Sequence, residues 1–500
     1  MDVAARRAPA LEALAGRRFD LLVVGGGIVG AGIANEAARA GLAVALVERN
    51  DFGSATSSAS SKLIHGGLRY LRLGDIRLVR EAHQERRALM GVVAPHLVRR
   101  LPFLLPLYRG GPYRPATIRL GLWLYSTLAR ERLGGFVPPG RSRRSVPPLR
   151  IEGLRGCGLY ADAWTHDGRL CLANVRAAAD AGATVLNYAE VKELRLVGRR
   201  VAGAEVRDRL GEESVSVAAR AVVNATGPWV DAVRRLEDPA ARPSSRLSKG
   251  AHVLLELDEP WSAALTIPHD DVRVSFAVPW EGMLLLGTTD ELYDGDPGDV
   301  AATDADVTAI LTEAAVALDP ALLRSERVRA RFAGLRVLPD AEGRTASARR
   351  ETVLLRGPAG MLSVAGGKLT TYRRIALDAL DELRGELGLP RLDRAPAPLP
   401  GATGLGEATG RLARRFPGLE PRVRSHLTHL YGSLAEEVLA GAEEDPSLLE
   451  PLAAGAPDVT AQVAYAWERE WACTADDVIE RRTTLWLRGL GLPEPGKLIA

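Results

Sequence analysis

The feature that most constrains this chain is a short apolar run, FDLLVV at residues 19–24, followed at once by GGGIVG. The run reads as a buried strand, apolar on both faces. An Ala-rich helical stretch follows to about Ala40, then a breaking Gly41 and a second buried strand, LAVALVE, ending at Glu48. A strand, a helix and a strand within about 30 residues have the size of a parallel crossover. Gly25, Gly27 and Gly30 form G-x-G-x-x-G at the strand-to-helix junction. The first glycine permits the tight turn, the second lets the backbone approach a pyrophosphate, and the third allows close helix–strand packing. Glu48 sits where a carboxylate accepts hydrogen bonds from a ribose hydroxyl, and its negative charge argues against a 2′-phosphate and so against NADP.

Around that unit, 500 residues allow two to four domains. A chain 46% hydrophobic and 25% charged is neither collagen-like nor disordered. Cys157, Cys171 and Cys473 lie too far apart for a disulfide framework or a zinc cluster, so a reducing cytosol and no metal are expected. No apolar run approaches the ~20 residues needed to cross a bilayer, and the first residues lack the apolar segment of an export signal. A net charge of +3, with no basic stripe interleaved with aromatics, excludes a dedicated nucleic-acid binder. The basic residues are nearly all Arg; Lys occurs only at 62, 192, 249, 368 and 497. A retained Lys hints that a compact ammonium is wanted there.

Further along, DFGSATSSASS is a small-residue polar loop, and a helical pattern runs from about Asp75 to Val93. The segment from Arg99 mixes Trp123, Tyr125 and Leu with Arg109, Arg114, Arg119 and Arg130, a mix that suits a membrane surface or an Arg-rimmed pair of core helices. PPGRSRRSVPP, from Pro138, reads as an exposed connection. HVLLELD, VSFAVPW and GMLLLGTTD read as a mainly antiparallel sheet, and the Pro/Gly-rich RLDRAPAPLPGATG as a linker into a helical region at about 405–495. Two more strand–turn pieces, VVNATGPW with Gly227 and SVAGGKLTTY with Gly366, Gly367, Lys368, Leu369 and Thr370, join the first unit. Three such pieces converging on one cofactor suit FAD, and the turn at 366–371 is expected to close over the flavin pyrimidine. Val191 is placed against the adenine, while Ser57, Ser58, Ser61, Lys62 and Leu63 lie in the loop expected beside pyrophosphate and flavin.

At SATSSASSKLIHGGLRYL the chain resembles the FAD-dependent glycerol-3-phosphate dehydrogenase family, the respiratory type that passes electrons to quinone. VVGGGIVGAGIA, NATGPWV, SKGAHVLL, LLGTTD, SVAGGKLTTYRR and ADDVIERRTTLWL occur in the family's order over nearly the whole chain. The resemblance implies an α/β fold: a glutathione-reductase-like FAD-binding domain with an interposed, mainly antiparallel substrate-binding cap, plus an all-α C-terminal domain. Expected boundaries are 1–395 for the oxidoreductase part and 396–500 for the helical part. Within the first, FAD-binding segments are expected at about 17–85, 155–245 and 330–388, and the cap at about 86–154 and 246–329. The resemblance also implies oxidation of sn-glycerol 3-phosphate to dihydroxyacetone phosphate, a quinone partner, and peripheral, monotopic attachment to the cytoplasmic face of a membrane. A homodimer is left open. About fifteen residues precede the first strand with no assigned role.

A phosphate of charge near −2 needs fixed cations. Arg69, Arg336, Arg350 and Lys368 lie in family motifs, with Tyr70 and Thr370 offering hydroxyls; Arg349 competes with Arg350 for the site-facing position. Oxidation at C2 also needs a base for the hydroxyl proton. His252, on an expected cap strand, is favoured; His65 is expected beside the isoalloxazine, and Arg336 could instead lower the alcohol pKa with solvent taking the proton. An oxygen-using oxidase of the same family, a relative acting on a 2-hydroxy acid or amine, and a non-catalytic flavin-bound scaffold are the alternatives.

Overall fold

The computed structural model describes residues 3–67, 75–130, 135–211, 213–270, 273–339 and 352–490. The strand Arg18–Val24 forms where FDLLVV requires one, with Leu21, Leu22 and Val23 fully buried. It pairs in parallel with Val44–Val47 on one side and Ser214–Asn224 on the other. Thr184–Leu186 and Leu362–Gly366 extend the parallel sheet, and Thr352–Arg356 closes one edge antiparallel. A hairpin of Ala189–Val197 and Arg200–Asp208 adds to Ser214–Asn224. Helices Ile28–Arg39, Asp167–Asp180 and Tyr372–Leu387 share one core with this sheet through Ile33, Leu170, Val175, Ile375 and Leu380. A parallel sheet must be covered on both faces. On the other face the N-terminal helix Val3–Gly16 contributes Leu14 to a core with Phe19, Leu22 and Val206.

That helix has a clear structural part. Arg7 is buried, pairs with Asp208 at 2.7 Å and donates to the Asn187 carbonyl at 2.8 Å. The Arg6 guanidinium lies 5.3 Å from the Trp467 ring, so the extension joins the first sheet to the C-terminal helices.

The second sheet runs in the order Glu291–Tyr293, Ser245–Glu256, Met283–Gly287, Val274–Trp280, Ala264–Pro268, Val98–Tyr108, Leu154–Thr165, Leu63–Ile64. Val328–Pro339 also pairs with Ser245–Glu256, and Gly135–Val137 with Leu154–Thr165. Among the described pairings of this second sheet only Ala264–Pro268 with Val98–Tyr108 is parallel. Leu63–Ile64 directly follows the Ser-rich loop of the first unit and pairs with Leu154–Thr165, so this loop links the two sheets.

Three expectations differ from the structure. Residues 98–108 form an 11-residue cap strand rather than half of a helix pair. Its partner Leu154–Thr165 covers its whole length, while Ala264–Pro268 meets it only at Phe103 and Leu104, which lets it carry Pro102 and Pro106. The helix Pro115–Ala129 follows, burying Leu122 and Tyr125 but leaving Leu120 and Trp123 67% and 63% exposed. The sequence from Pro138 is not a bare connection, since Pro139–Ser145 is helical with Ser142 buried. Finally, Leu154–Thr165 and Val328–Pro339 both belong to the cap sheet, which therefore reaches beyond the expected cap boundaries.

After residue 404 the described elements are helices, including Leu405–Arg415, Pro421–Tyr431 and Ala461–Arg469, around Leu412, Leu427, Tyr431 and Leu439. They dock through buried ion pairs. Asp51 takes Arg481 at 2.5 Å and also pairs with Arg482, and Arg169 meets Glu470 at 2.6 Å. His426 sits between Asp458 at 2.9 Å and Glu281 of the cap at 3.4 Å.

Candidate active site

A cavity of about 890 Å³ lies between the two sheets. It opens over the carboxyl ends of the parallel strands, at Val24, Val47, Ala225 and Val364, where ligands of open α/β sheets bind. Its size is near the top of the range for small-molecule sites, about 300–1,000 Å³.

The first wall is the glycine turn. Gly25 has φ +105°, and a Cβ at Gly30 would stand 1.9 Å from the Gly25 carbonyl oxygen, so the helix seats on the strand only because both lack side chains. Gly27 faces the cavity, and a Cβ there would meet the Ser57 hydroxyl at 3.1 Å. Ser57 Oγ accepts from the Ile28 amide at 2.8 Å and so caps the helix start. Glu48 accepts from the amides of Gly26 at 2.7 Å and Asn50 at 2.8 Å. Burial pushes its pKa up and the two amides pull against that. Each oxygen keeps a second lone pair, so pinning the turn is compatible with accepting from a ribose hydroxyl.

The remaining cofactor-side expectations divide. Ser61, Leu63, Val191, Gly227 and the turn from Gly366 to Thr370 line the cavity. Gly366 and Gly367 have φ +87° and +147°, and a Cβ on Gly367 would lie 3.1 Å from Val29 Cγ2. The backbone there is therefore bare toward the cavity. A 3₁₀ turn, Leu369–Thr371, then starts the long helix as the sequence suggests. A dinucleotide cradle of bare glycine backbone on two turns, with a carboxylate beside the first, fits FAD. Ser58 and Lys62 do not face this space. Ser58 Oγ turns back to the Ala55 carbonyl at 3.3 Å. Lys62 adopts φ +56° and points inward to Asp167, 2.6 Å away.

The substrate-side residues come from both sheets. Arg336 lies on Val328–Pro339, where Nη1 pairs with Asp290 at 3.0 Å and Nη2 donates to Thr288 Oγ1 at 3.1 Å and the Thr289 carbonyl at 3.3 Å. Ser248 Oγ donates to the same carboxylate at 2.5 Å. Lys368, from the other sheet, lines the same cavity. Thr370 does so too, but its hydroxyl is tied to the His65 backbone, accepting from the amide at 3.2 Å. Arg69, Tyr70, Arg349 and Arg350 lie outside the described residues.

Both motif histidines line the cavity. His252 Nε2 is 2.8 Å from Ser61 Oγ, the ring stacks on Phe332 at 4.9 Å, and its buried Nδ1 has no hydrogen-bond partner among the described residues. Burial, then the charges of Arg336 and Lys62, push its pKa down to about 3. His65 is also held well below the ordinary imidazole value, by burial and then by Lys368, Arg86 and His83. Both rings are therefore neutral at neutral pH. Sequence reasoning missed Asp167 and the Arg336 cradle of Ser248, Thr288 and Asp290. The cradle residues lie in SKGAHV and LLGTTD, so membership of those two motifs was the available signal; Asp167 had only its place opening a helix.

Comparison with known proteins agrees with this geometry. Residues 20–373 match the FAD dependent oxidoreductase family, and residues 395–489 match the C-terminal domain of alpha-glycerophosphate oxidase. The chain is 38% identical to glycerol-3-phosphate dehydrogenase 2 of Mycobacterium tuberculosis over 492 residues, covering 96% of this chain and 83% of that one. It is 36% identical to D-erythritol 1-phosphate dehydrogenase of Brucella abortus over 485 residues, covering 94% of each. The solved structure of glycerol-3-phosphate dehydrogenase from Bacillus halodurans complexed with FAD superposes with a TM-score of 0.79 at 31% identity, over 97% of this chain and 90% of that one. With both family models matched in order and these identities holding over nearly its whole length, the chain belongs to the FAD-dependent oxidoreductases of the glycerol-3-phosphate dehydrogenase family.

Proposed function

We propose that this chain oxidises sn-glycerol 3-phosphate to dihydroxyacetone phosphate, with electrons passing through FAD to a membrane quinone. The observation that carries the reading is that Arg336 from the cap sheet and Lys368 from the turn after the parallel sheet line the same cavity as His252 and His65. FAD supplies the two-electron acceptor for the C2 hydride; the protein holds the phosphate, orients C2 and takes the hydroxyl proton. Arg336 and Lys368 bind the phosphate, with the guanidinium kept in place by Asp290 and Thr288. His252 accepts the proton. A dianion beside Arg336 offsets the positive charge that holds the imidazole pKa down, so His252 gains basicity as substrate arrives.

The quinone reading is supported by the helix Pro115–Ala129. Leu120 and Trp123 project from it into solvent with exposed Arg114, Arg119 and Arg130 nearby, the composition of a surface that lies on lipid. No helix among the described residues is long and apolar enough to cross a membrane.

Turnover tests the proposal. With sn-glycerol 3-phosphate and a short-chain quinone, dihydroxyacetone phosphate and quinol should form one for one, with little hydrogen peroxide in air. Peroxide at the full rate without quinone would assign an oxidase. A kcat/KM higher for D-erythritol 1-phosphate would move the substrate to the longer polyol phosphate.

A further inference from the structure

We infer that Lys62 and Asp167 are positioning residues for substrate oxidation: this buried pair fixes residues 58–62 so that the Ser61 hydroxyl meets the His252 imidazole at the cavity wall. The inference rests on the dehydrogenation reading of the cavity.

Lys62 and Asp167 have side chains 1% exposed each and are 2.6 Å apart. Both ends of the pair reach into the Ser-rich loop. Lys62 Nζ donates to the Ser58 carbonyl at 3.0 Å. Asp167 Oδ2 accepts from the Ser60 amide at 3.0 Å and from Ser60 Oγ at 2.7 Å. Ser60 Oγ in turn accepts from the Lys62 amide at 3.0 Å. The Thr165 amide donates to the Lys62 carbonyl at 2.8 Å, which anchors the far end of the loop to the cap sheet.

Within this frame Lys62 takes a left-handed conformation that a lysine adopts rarely, so the partners outweigh the local preference. The turn at Lys62 directs its own side chain inward. Ser61 stays on the cavity wall, 2.8 Å from His252 Nε2. The lysine also reaches the other side of the histidine's environment: its ammonium lies 5.2 Å from the centroid of Phe332, the ring stacked on His252, and 5.1 Å from Trp280. A cation over these faces is attracted by the ring quadrupoles, which fixes the ring that in turn fixes the imidazole. One buried pair therefore sets both the hydroxyl and the aromatic plane that define the His252 position.

Removing one partner alone strands a buried charge, so the test uses neutral near-isosteres together, Lys62→Met with Asp167→Asn. Anaerobic stopped-flow reduction of the flavin by sn-glycerol 3-phosphate gives a limiting rate and an apparent substrate Kd. The limiting rate should fall by about ten- to 100-fold, with Kd changed less than threefold. Ser61→Ala should slow the wild type but add little in the paired variant, because both act on one contact. A limiting rate within twofold of wild type, or fully additive effects with Ser61→Ala, overturns the inference. Should the paired variant lose FAD, Ser60→Ala removes a single hydroxyl from the same frame. It should slow the limiting rate several-fold and couple likewise to Ser61→Ala, and an unchanged rate there also overturns it. Wild type that sn-glycerol 3-phosphate does not reduce would instead contradict the substrate reading.

Discussion

Truncating Arg336 to alanine should raise the KM for sn-glycerol 3-phosphate by about 100- to 1,000-fold while leaving bound FAD in place. The guanidinium does not have to find its position on binding, because Asp290, Thr288 and the Thr289 carbonyl already hold it. A charge-assisted hydrogen bond contributes about 1.5–3 kcal/mol, and a forked pair to a phosphate more. The truncation also leaves the Asp290 carboxylate without its guanidinium and close to an incoming dianion, which adds repulsion on the order of 1 kcal/mol at a partly exposed site. Together these give about 3–4 kcal/mol, or two to three decades. Steady-state kinetics with a soluble electron acceptor measures it, alongside the visible flavin spectrum as a check on FAD content. Adding Asp290→Ala should recover part of the loss, and Arg336→Lys should fall between the wild type and alanine. A kcat/KM within threefold of wild type, at full flavin occupancy, would refute the assignment.

The docking of the C-terminal helices should weaken in alkali. Burial disfavours a charged His426, but Asp458 and Glu281 outweigh it and raise its pKa to about 9. A group whose folded pKa lies above its unfolded value, about 6.5, contributes stability that is full below pH 6.5 and lost as pH rises through 9. Melting temperature against pH should therefore fall between about 7 and 9.5, and His426→Gln should flatten that slope. Gly30→Ala puts a methyl 1.9 Å from the Gly25 carbonyl oxygen, so the protein should be about 1–3 kcal/mol less stable and purify with little flavin. Trp123→Glu should abolish most co-sedimentation with anionic vesicles while turnover with a soluble acceptor stays unchanged, since the side chain is exposed and does not line the cavity.

Much of the first sheet was legible because its signals are local. FDLLVV is apolar on both faces, as a strand covered by helices must be, Gly25 is needed by its own φ of +105°, and Gly30 by the Gly25 carbonyl oxygen one turn before it. The cap was harder to read. Val98–Tyr108 contains two prolines and two adjacent arginines, and it is a strand because Leu154–Thr165 pairs along all of it. Nothing within the segment announces that partner. The side-chain direction of Lys62 was hidden for the same reason. Its motif places it beside the cofactor, but a positive φ and a carboxylate 105 positions away turn it inward. Arg336 and His252 stand out in the sequence as candidates and both line the cavity, whereas the cradle that holds one and the hydroxyl that meets the other depend on strands far apart in the chain.

Anaerobic titration of the purified protein with sn-glycerol 3-phosphate shows whether this cavity brings FAD and a polyol phosphate together for oxidation. The oxidised flavin band should bleach to completion, and glycine, D-amino acids and 2-hydroxyglutarate should leave it intact. A flavin band that sn-glycerol 3-phosphate leaves untouched, while one of those other compounds bleaches it, would contradict the account.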